Sequence, residues 1–84
     1  MSSRFPAVTS RDAERVARKL GFVLHHHTGS HAIYYLERDR RRAVIPAHAG
    51  KDLPPKTLHS IISGLGITVE EFRDLLELVG IKEP

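Results

Sequence analysis

The first recurring pattern of apolar positions along the chain has helical spacing. Apolar residues fall at i, i+3, i+4 and i+7, at Ala13, Val16, Ala17 and Leu20. Either Thr9 or Ser10 can cap this helix, and Asp12 supplies the carboxylate of a capping box. Gly21 adopts the left-handed conformation without strain. The pattern therefore predicts a helix that begins at Thr9 or Ser10 and stops at Gly21.

The segment between residues 22 and 46 predicts three strands. The first covers Phe22–His27, and a turn at Thr28-Gly29-Ser30 connects it to the second, His31–Leu36. A turn at residues 37–41 leads to the third strand, Arg42–Pro46. Side chains of a strand alternate between two faces. Because the second strand is apolar on both faces, alternation leaves open which face meets the core.

Two more stretches of helical spacing follow a loop at residues 47–52. One helix begins near Pro55, since proline is favoured at the first helical position, and it ends at Gly64 or Gly66. The last helix opens with a capping box at Thr68-Val69-Glu70-Glu71. The order α-β-β-β-α-α predicts an α+β fold, with the helices packed on one face of a three-stranded antiparallel sheet.

Length and charge limit the functions that this fold can carry. The 84 residues predict one domain, residues 1–84, which is too small for a two-domain cofactor enzyme. Thirteen Lys and Arg against ten Asp and Glu give a net charge of +3, with six His in addition. A basic balance of this kind favours a polyanionic partner such as nucleic acid.

The chain has no cysteine, which excludes disulfides, zinc–thiolate sites and a cysteine nucleophile. It also has no apolar run of membrane-spanning length and no signal-peptide pattern at its start. We therefore expect a cytoplasmic protein that does not enter a membrane.

Histidines are the first candidates for chemistry. In a regular strand His25 and His27 share a face opposite His26, and no carboxylate or cysteine lies nearby in sequence to complete a metal site. We expect structural or solvated roles for these three, and no metal or other cofactor. His31 is the first residue after the turn, where an imidazole is fixed by the backbone yet open to solvent. It is either a proton-transfer group or an ordinary polar residue. His48 stands beside Gly50 and Lys51 in a loop that could meet a phosphate.

Two basic clusters each allow two interpretations. The first, at the turn before the third strand, consists of Arg38, Arg40, Arg41 and Arg42. It is either a solvated hairpin tip or a clamp on a nucleic-acid backbone. The second, on the first helix, consists of Arg11, Arg15, Arg18 and Lys19, and is either a solvated face or a phosphate-facing patch. Of Tyr34 and Tyr35, which could stack on bases, we expect one to lie in the core.

Several short motifs follow one another along the chain: Thr28-Gly29-Ser30-His31, the stretch from Ile45 to Leu53, Thr57-Leu58-His59-Ser60-Ile61-Ile62, and Leu65-Gly66-Ile67-Thr68. Taken in this order, they resemble the HicA toxin family of small mRNA interferases. The resemblance covers roughly Phe5 to Leu76. It implies a fold like that of a double-stranded-RNA-binding domain. Two positions depart from the common family pattern: Ala32 replaces a second histidine, and Lys56 replaces a glycine.

The resemblance also implies a function and a set of site residues. His31 matches the catalytic histidine of a metal-independent endoribonuclease, the toxin of a toxin–antitoxin pair whose partner is a HicB-like antitoxin. The resemblance places Gly29, Ser30, His48 and Lys51 among the RNA-binding residues, and the basic cluster adds Arg38, Arg40, Arg41 and Arg42. Two alternatives remain: a non-catalytic RNA-binding module of the same fold, and an inactive toxin that only binds its antitoxin.

Overall fold

The computed structural model describes residues 7–47 and 52–81, and its elements follow the predicted order. Their bounds are α1 Ser10–Lys19, β1 Val23–His27, β2 His31–Leu36, β3 Arg41–Pro46, α2 Pro55–Leu65 and α3 Val69–Ile81. The three strands form one antiparallel sheet in the order β1-β2-β3. The predicted α+β fold is confirmed. None of the helices in the described part of the chain has the length and hydropathy needed to cross a membrane.

Local signals set the starts of two helices as predicted. At α1 the Asp12 backbone N–H donates to Thr9 Oγ1 at 3.2 Å, and the Thr9 N–H donates to the Asp12 carboxylate at 3.1 Å. The same reciprocal pair joins Thr68 and Glu71 at the start of α3. Each box satisfies N–H groups that have no partner inside the helix. The buried Ser10 hydroxyl also donates to the carbonyl of Pro46, which ties α1 to the end of β3.

The core lies between one face of the sheet and the three helices. On β2 the residues Ala32, Tyr34 and Leu36 are buried, whereas His31, Ile33 and Tyr35 on the other face are exposed or half-buried. Tyr34 is therefore the core tyrosine. From the helices, the buried apolar residues include Ala13, Val16, Ala17, Leu58, Ile61, Ile62, Leu65 and Phe72. We call the opposite, uncovered side of the sheet the open face.

The first strand corrects the predicted alternation. Its register with β2 shifts between Leu24 and His26, so that Leu24 pairs with Tyr34 but His26 pairs with Ile33. His25 is the extra residue of a β-bulge. As a result His26 lies on the open face, while His27 pairs with Ala32. The expectation that His25 and His27 share a face is wrong, because a bulge reverses the alternation beyond it.

The second helix runs against β3 at very close range. A Cβ built on Gly64 would lie 2.7 Å from the Arg42 carbonyl oxygen and 3.2 Å from Ala43 Cα. Only a residue without a side chain permits this approach. The helix ends at Gly66, whose φ is +75°. Its four buried residues face the core, so that the side with Gly64 follows β3.

Candidate active site

The hairpin turn holds the backbone of His31 through a set of hydrogen bonds centred on Thr28. Thr28 Oγ1 accepts from the His31 N–H at 3.0 Å and from the Ser30 N–H at 3.3 Å. The Thr28 N–H donates to the His31 carbonyl at 2.8 Å. The Ala47 N–H, at the end of β3, donates to the Ser30 carbonyl at 2.8 Å. The position that the sequence singled out is thus fixed on both sides by backbone bonds.

The His31 side chain is exposed and has one engaged ring nitrogen. Ser30 Oγ lies 3.1 Å from Nδ1. A serine hydroxyl can donate to a ring nitrogen or accept from one, so it can serve either tautomer of the imidazole. With Nδ1 held by Ser30, Nε2 is the nitrogen left to exchange a proton with a bound molecule. Ser30 is therefore placed to orient the imidazole.

Gly29, at the tip of the turn, has no steric reason to be glycine. A Cβ built there would meet no heavy atom of the described residues within 4 Å, and its φ is not in the left-handed region. Packing therefore leaves space for a methyl group at this position. A glycine that the fold does not require is consistent with close approach of a ligand to the backbone.

His31 opens onto a groove between the open face and the first turns of α2. The groove has a volume of about 470 Å³, and its lining residues are His31, Val44, Pro46, Lys56, Thr57 and Ser60. It brings an imidazole, an ammonium and two hydroxyls to one place. The first turn of α2 has no acidic residue and no side chain that caps it. Lys56 and the positive end of the helix thus both favour an anion in this groove.

The sequence pattern did not predict three of the residues that line the groove, Lys56, Thr57 and Ser60. Lys56 stood out only as a departure from the family pattern. A signal existed, since Lys56, Ser60 and Gly64 are spaced i, i+4 and i+8 and so lie on one side of α2. Only the tertiary structure shows that this side of α2 meets β3 beside His31, which precedes Lys56 by 25 residues.

Two predicted RNA-binding residues, His48 and Lys51, lie outside the described residues, as does Gly50. The described residues that flank residues 48–51 in sequence, Ala47 and Asp52, lie at the His31 end of the sheet. Ala47 bonds to Ser30, and Asp52 forms an isolated antiparallel bridge with Thr9.

The hairpin arginines lie at the other end of the sheet. On β2 and β3 His31 pairs with Pro46, whereas Leu36 pairs with Arg41, about 17 Å away at ~3.4 Å per residue. Arg41 forms an ion pair with Asp39 at 3.8 Å and donates to the Leu65 carbonyl at 3.4 Å, at the end of α2. The structure does not bring the arginine cluster next to His31.

The basic residues of α1 are partly engaged within the fold. Arg15 lies 3.8 Å from the Asp12 carboxylate, and Arg18 donates to the Tyr34 hydroxyl at 3.0 Å. Burial, helped by the nearby Glu14 carboxylate, raises the pKa of the Tyr34 hydroxyl, and the Arg18 charge opposes that rise. Arg18 therefore contacts Tyr34 on the buried side of the sheet and also adds positive charge to the surface.

The described part of the chain contains no group of three or more His, Asp or Glu side chains that could hold a metal ion. The bulge separates the three adjacent histidines, with His26 on the open face and His27 paired with Ala32. His25 contacts Tyr35 instead, with their ring centroids 5.6 Å apart.

Comparison with known families assigns the chain. The sequence model described as the HicA toxin of bacterial toxin–antitoxin systems matches residues 10–67, more than half of the chain. The match runs from the start of α1 past the end of α2, so it includes the turn, His31 and every residue that lines the groove. A search of curated proteins finds no match. The chain belongs to the HicA toxin family of bacterial toxin–antitoxin systems.

Proposed function

We propose that this toxin is an endoribonuclease that cuts mRNA in the cytoplasm without a metal ion, with His31 as its proton-transfer group. The observation that carries the proposal is the exposed imidazole, held by Ser30 at Nδ1 and opening onto a groove with an ammonium and two hydroxyls. RNA supplies its own nucleophile in the 2′-hydroxyl. A small protein then needs to supply only proton transfer and charge stabilisation.

The reaction that suits this groove is an internal transesterification. The 2′-oxygen attacks the adjacent phosphorus and loses its proton, while the bond from phosphorus to the 5′-oxygen breaks and that oxygen gains a proton. The products are a 2′,3′-cyclic phosphate and a 5′-hydroxyl. Neutral His31 would take the first proton at Nε2, and the predicted site residue His48 would supply one to the leaving oxygen, since the two oxygens lie on opposite sides of the phosphorus. Such a group contributes about 10²–10⁴-fold.

Lys56, Thr57 and Ser60 would hold the phosphate. The ammonium and the hydroxyls can donate to its non-bridging oxygens, where negative charge builds up in the transition state. Lys56 is also a positive charge that lines the same groove as His31. We expect Lys56→Gln to slow cleavage more than it weakens RNA binding.

The test is RNA cleavage in EDTA by wild type, His31→Ala and His27→Ala. His27 is the matched control, because it is an exposed histidine that lies outside the groove. We expect His31→Ala to lose cleavage and toxicity while its circular dichroism and Tm stay close to wild type, and His27→Ala to keep both activities. Growth arrest at wild-type strength by His31→Ala would refute the catalytic role. A wild type that shifts RNA on a gel without cutting it would identify an RNA-binding module instead.

Membership of a toxin–antitoxin family implies an antitoxin partner. We propose a HicB-like antitoxin that covers the His31 groove with an acidic patch, since the toxin has a net charge of +3. The complex should weaken as salt rises, and footprinting should protect His31 and Lys56, together with the predicted contacts at His48 and Lys51. A complex that blocks cleavage but leaves His31 accessible would contradict this account.

A further inference from the structure

The open face of the sheet extends beyond the His31 groove, and the proposed reaction does not use this further part. Cross-strand pairing arranges its side chains in rows: Val23, Tyr35 and Arg42 in one, His26, Ile33 and Val44 in the next, and His31 with Pro46 in the last. Val23 is 62% exposed and Val44 42% exposed. A sheet face with this much exposed apolar surface, continuous with the candidate active site, favours a binding role.

In the row farthest from His31, Tyr35 forms an aromatic pair with His25, the extra residue of the bulge. The bulge in β1 brings the His25 ring to a centroid distance of 5.6 Å from the Tyr35 ring, with 44° between the ring planes. Tyr35 is half-buried and His25 exposed, in contrast to Tyr34, which is 1% exposed. Arg42 pairs directly with Tyr35 on the neighbouring strand and is also exposed. Two flat rings and the strand position of an exposed arginine thus lie side by side on a solvated surface.

We propose that the open face binds single-stranded RNA, with bases stacked on the Tyr35–His25 pair and Arg42 holding the backbone beside them. This inference rests on the proposed function, because it names the substrate class of the His31 site. Aromatic side chains stack on any unpaired base, since every base has a π face. A duplex keeps its bases stacked inside and offers only its backbone and grooves. The rings therefore select unpaired RNA, although the fold resembles a domain that binds duplex RNA.

The geometry joins the rings to the reaction site along one strand. Tyr35 and His31 are on the same face of β2 and about 14 Å apart at ~3.4 Å per residue. Ile33 and Val44 provide a continuous apolar surface between them. Arg38 and Arg40, exposed in the turn beyond Tyr35, add positive charge at the far end of this path. A strand of RNA bound on the rings can therefore reach the groove without leaving the sheet.

The experiment measures RNA affinity in a His31→Ala background, which prevents cleavage during binding. Fluorescence anisotropy would compare a labelled single-stranded RNA of about ten nucleotides with the same sequence in a duplex. We expect the single strand to bind at least about tenfold more tightly. Tyr35→Leu should weaken its binding by about 5- to 150-fold, the range expected for the loss of one stacked base. Tyr35→Phe should stay within about twofold of the parent, since it keeps the ring.

Controls separate stacking from folding. Leu78→Ala removes an exposed apolar side chain from α3, away from the sheet, and should leave RNA affinity unchanged. The Tm of each variant is measured in parallel. If Tyr35→Leu does not fold, His25→Ala takes its place, because it removes the partner ring from an exposed strand. It should lower single-strand affinity by a smaller factor in the same direction.

Equal or tighter binding of the duplex would overturn the proposal, as would unchanged single-strand affinity in both Tyr35→Leu and His25→Ala. If these variants weaken antitoxin binding but not RNA binding, the face belongs to the antitoxin and the proposal fails. Cleavage assays keep the two proposals distinct. A wild type that binds single strands through Tyr35 but never cuts them would refute the nuclease and leave this inference standing. Normal cleavage by a protein whose RNA affinity does not depend on Tyr35 or His25 would support the nuclease and refute this inference.

Discussion

Gly64→Ala tests the packing that places α2 beside His31. An alanine Cβ at this position would lie 2.7 Å from the Arg42 carbonyl oxygen, so that α2 must move from β3 by about 0.7 Å to reach an ordinary contact of 3.4 Å. The atoms that must give way are backbone, which cannot rotate aside. Overpacking of this kind costs about 1–3 kcal/mol. The higher helix propensity of alanine offsets about 1 kcal/mol of that cost. We expect a net loss of about 1 kcal/mol.

The same displacement should reach the groove. Lys56 and Ser60 lie on the side of α2 that carries Gly64, and a misplacement of about 1 Å at a reacting site can cost about 10²-fold in rate. We therefore expect Gly64→Ala to cut RNA at least about tenfold more slowly than wild type.

Urea unfolding followed by circular dichroism measures the stability change, with Ser63→Ala as the control. Ser63 is the exposed neighbour of Gly64 in α2, so its replacement by alanine changes helix propensity without adding a contact to β3. A Gly64→Ala protein that is more stable than wild type, in the manner of Ser63→Ala, would refute the close approach of α2 to β3. Unchanged cleavage in a destabilised variant would refute the link between that contact and the groove.

Three further predictions concern charge, the turn and pH. RNA binding should depend less steeply on salt, in a plot of log K against log[salt], when five basic residues are replaced by glutamine: Arg38, Arg40, Arg41, Arg42 and Lys51. An unchanged slope would show that the binding surface lies on α1 instead. Gly29→Ala should leave Tm within a few degrees of wild type but slow cleavage, because its Cβ meets only open space where RNA is expected to approach; cleavage at the wild-type rate would contradict that approach. The pKa of Tyr34 is raised in the folded state, so that with rising pH the unfolded chain releases the hydroxyl proton before the folded chain does. The contribution of Tyr34 to the free energy of unfolding is therefore present below pH ~10 and is lost above it. The free energy of unfolding should thus fall more steeply above pH 10 in wild type than in Tyr34→Phe, and parallel curves would refute the shift.

Features that depend on neighbours in sequence could be predicted. The capping boxes at Thr9 and Thr68 act within one turn of helix, and the structure shows both. The bounds of β2 were predicted to the residue, since a turn with Gly29 precedes it and a charged turn follows. The motif around His31 carried the family resemblance, which the match over residues 10–67 confirms. The catalytic role of His31 and the contacts of His48 and Lys51 remain predictions.

Features that depend on distant residues could not be predicted. Alternation could not decide which face of β2 is buried, because both faces are apolar; the helices decide it by covering Tyr34 and leaving Tyr35 open. The bulge at His25 comes from pairing with β2, and its consequence for His26 and His27 is invisible in β1 alone. Lys56 reaches the groove of His31 only because Gly64 lets α2 approach β3. The sequence by itself determined the elements and the candidate histidine through short-range hydrogen bonds and periodicity. Tertiary packing alone decided the open face and which residues of α2 share the groove with His31, because it brings together side chains that are far apart along the chain.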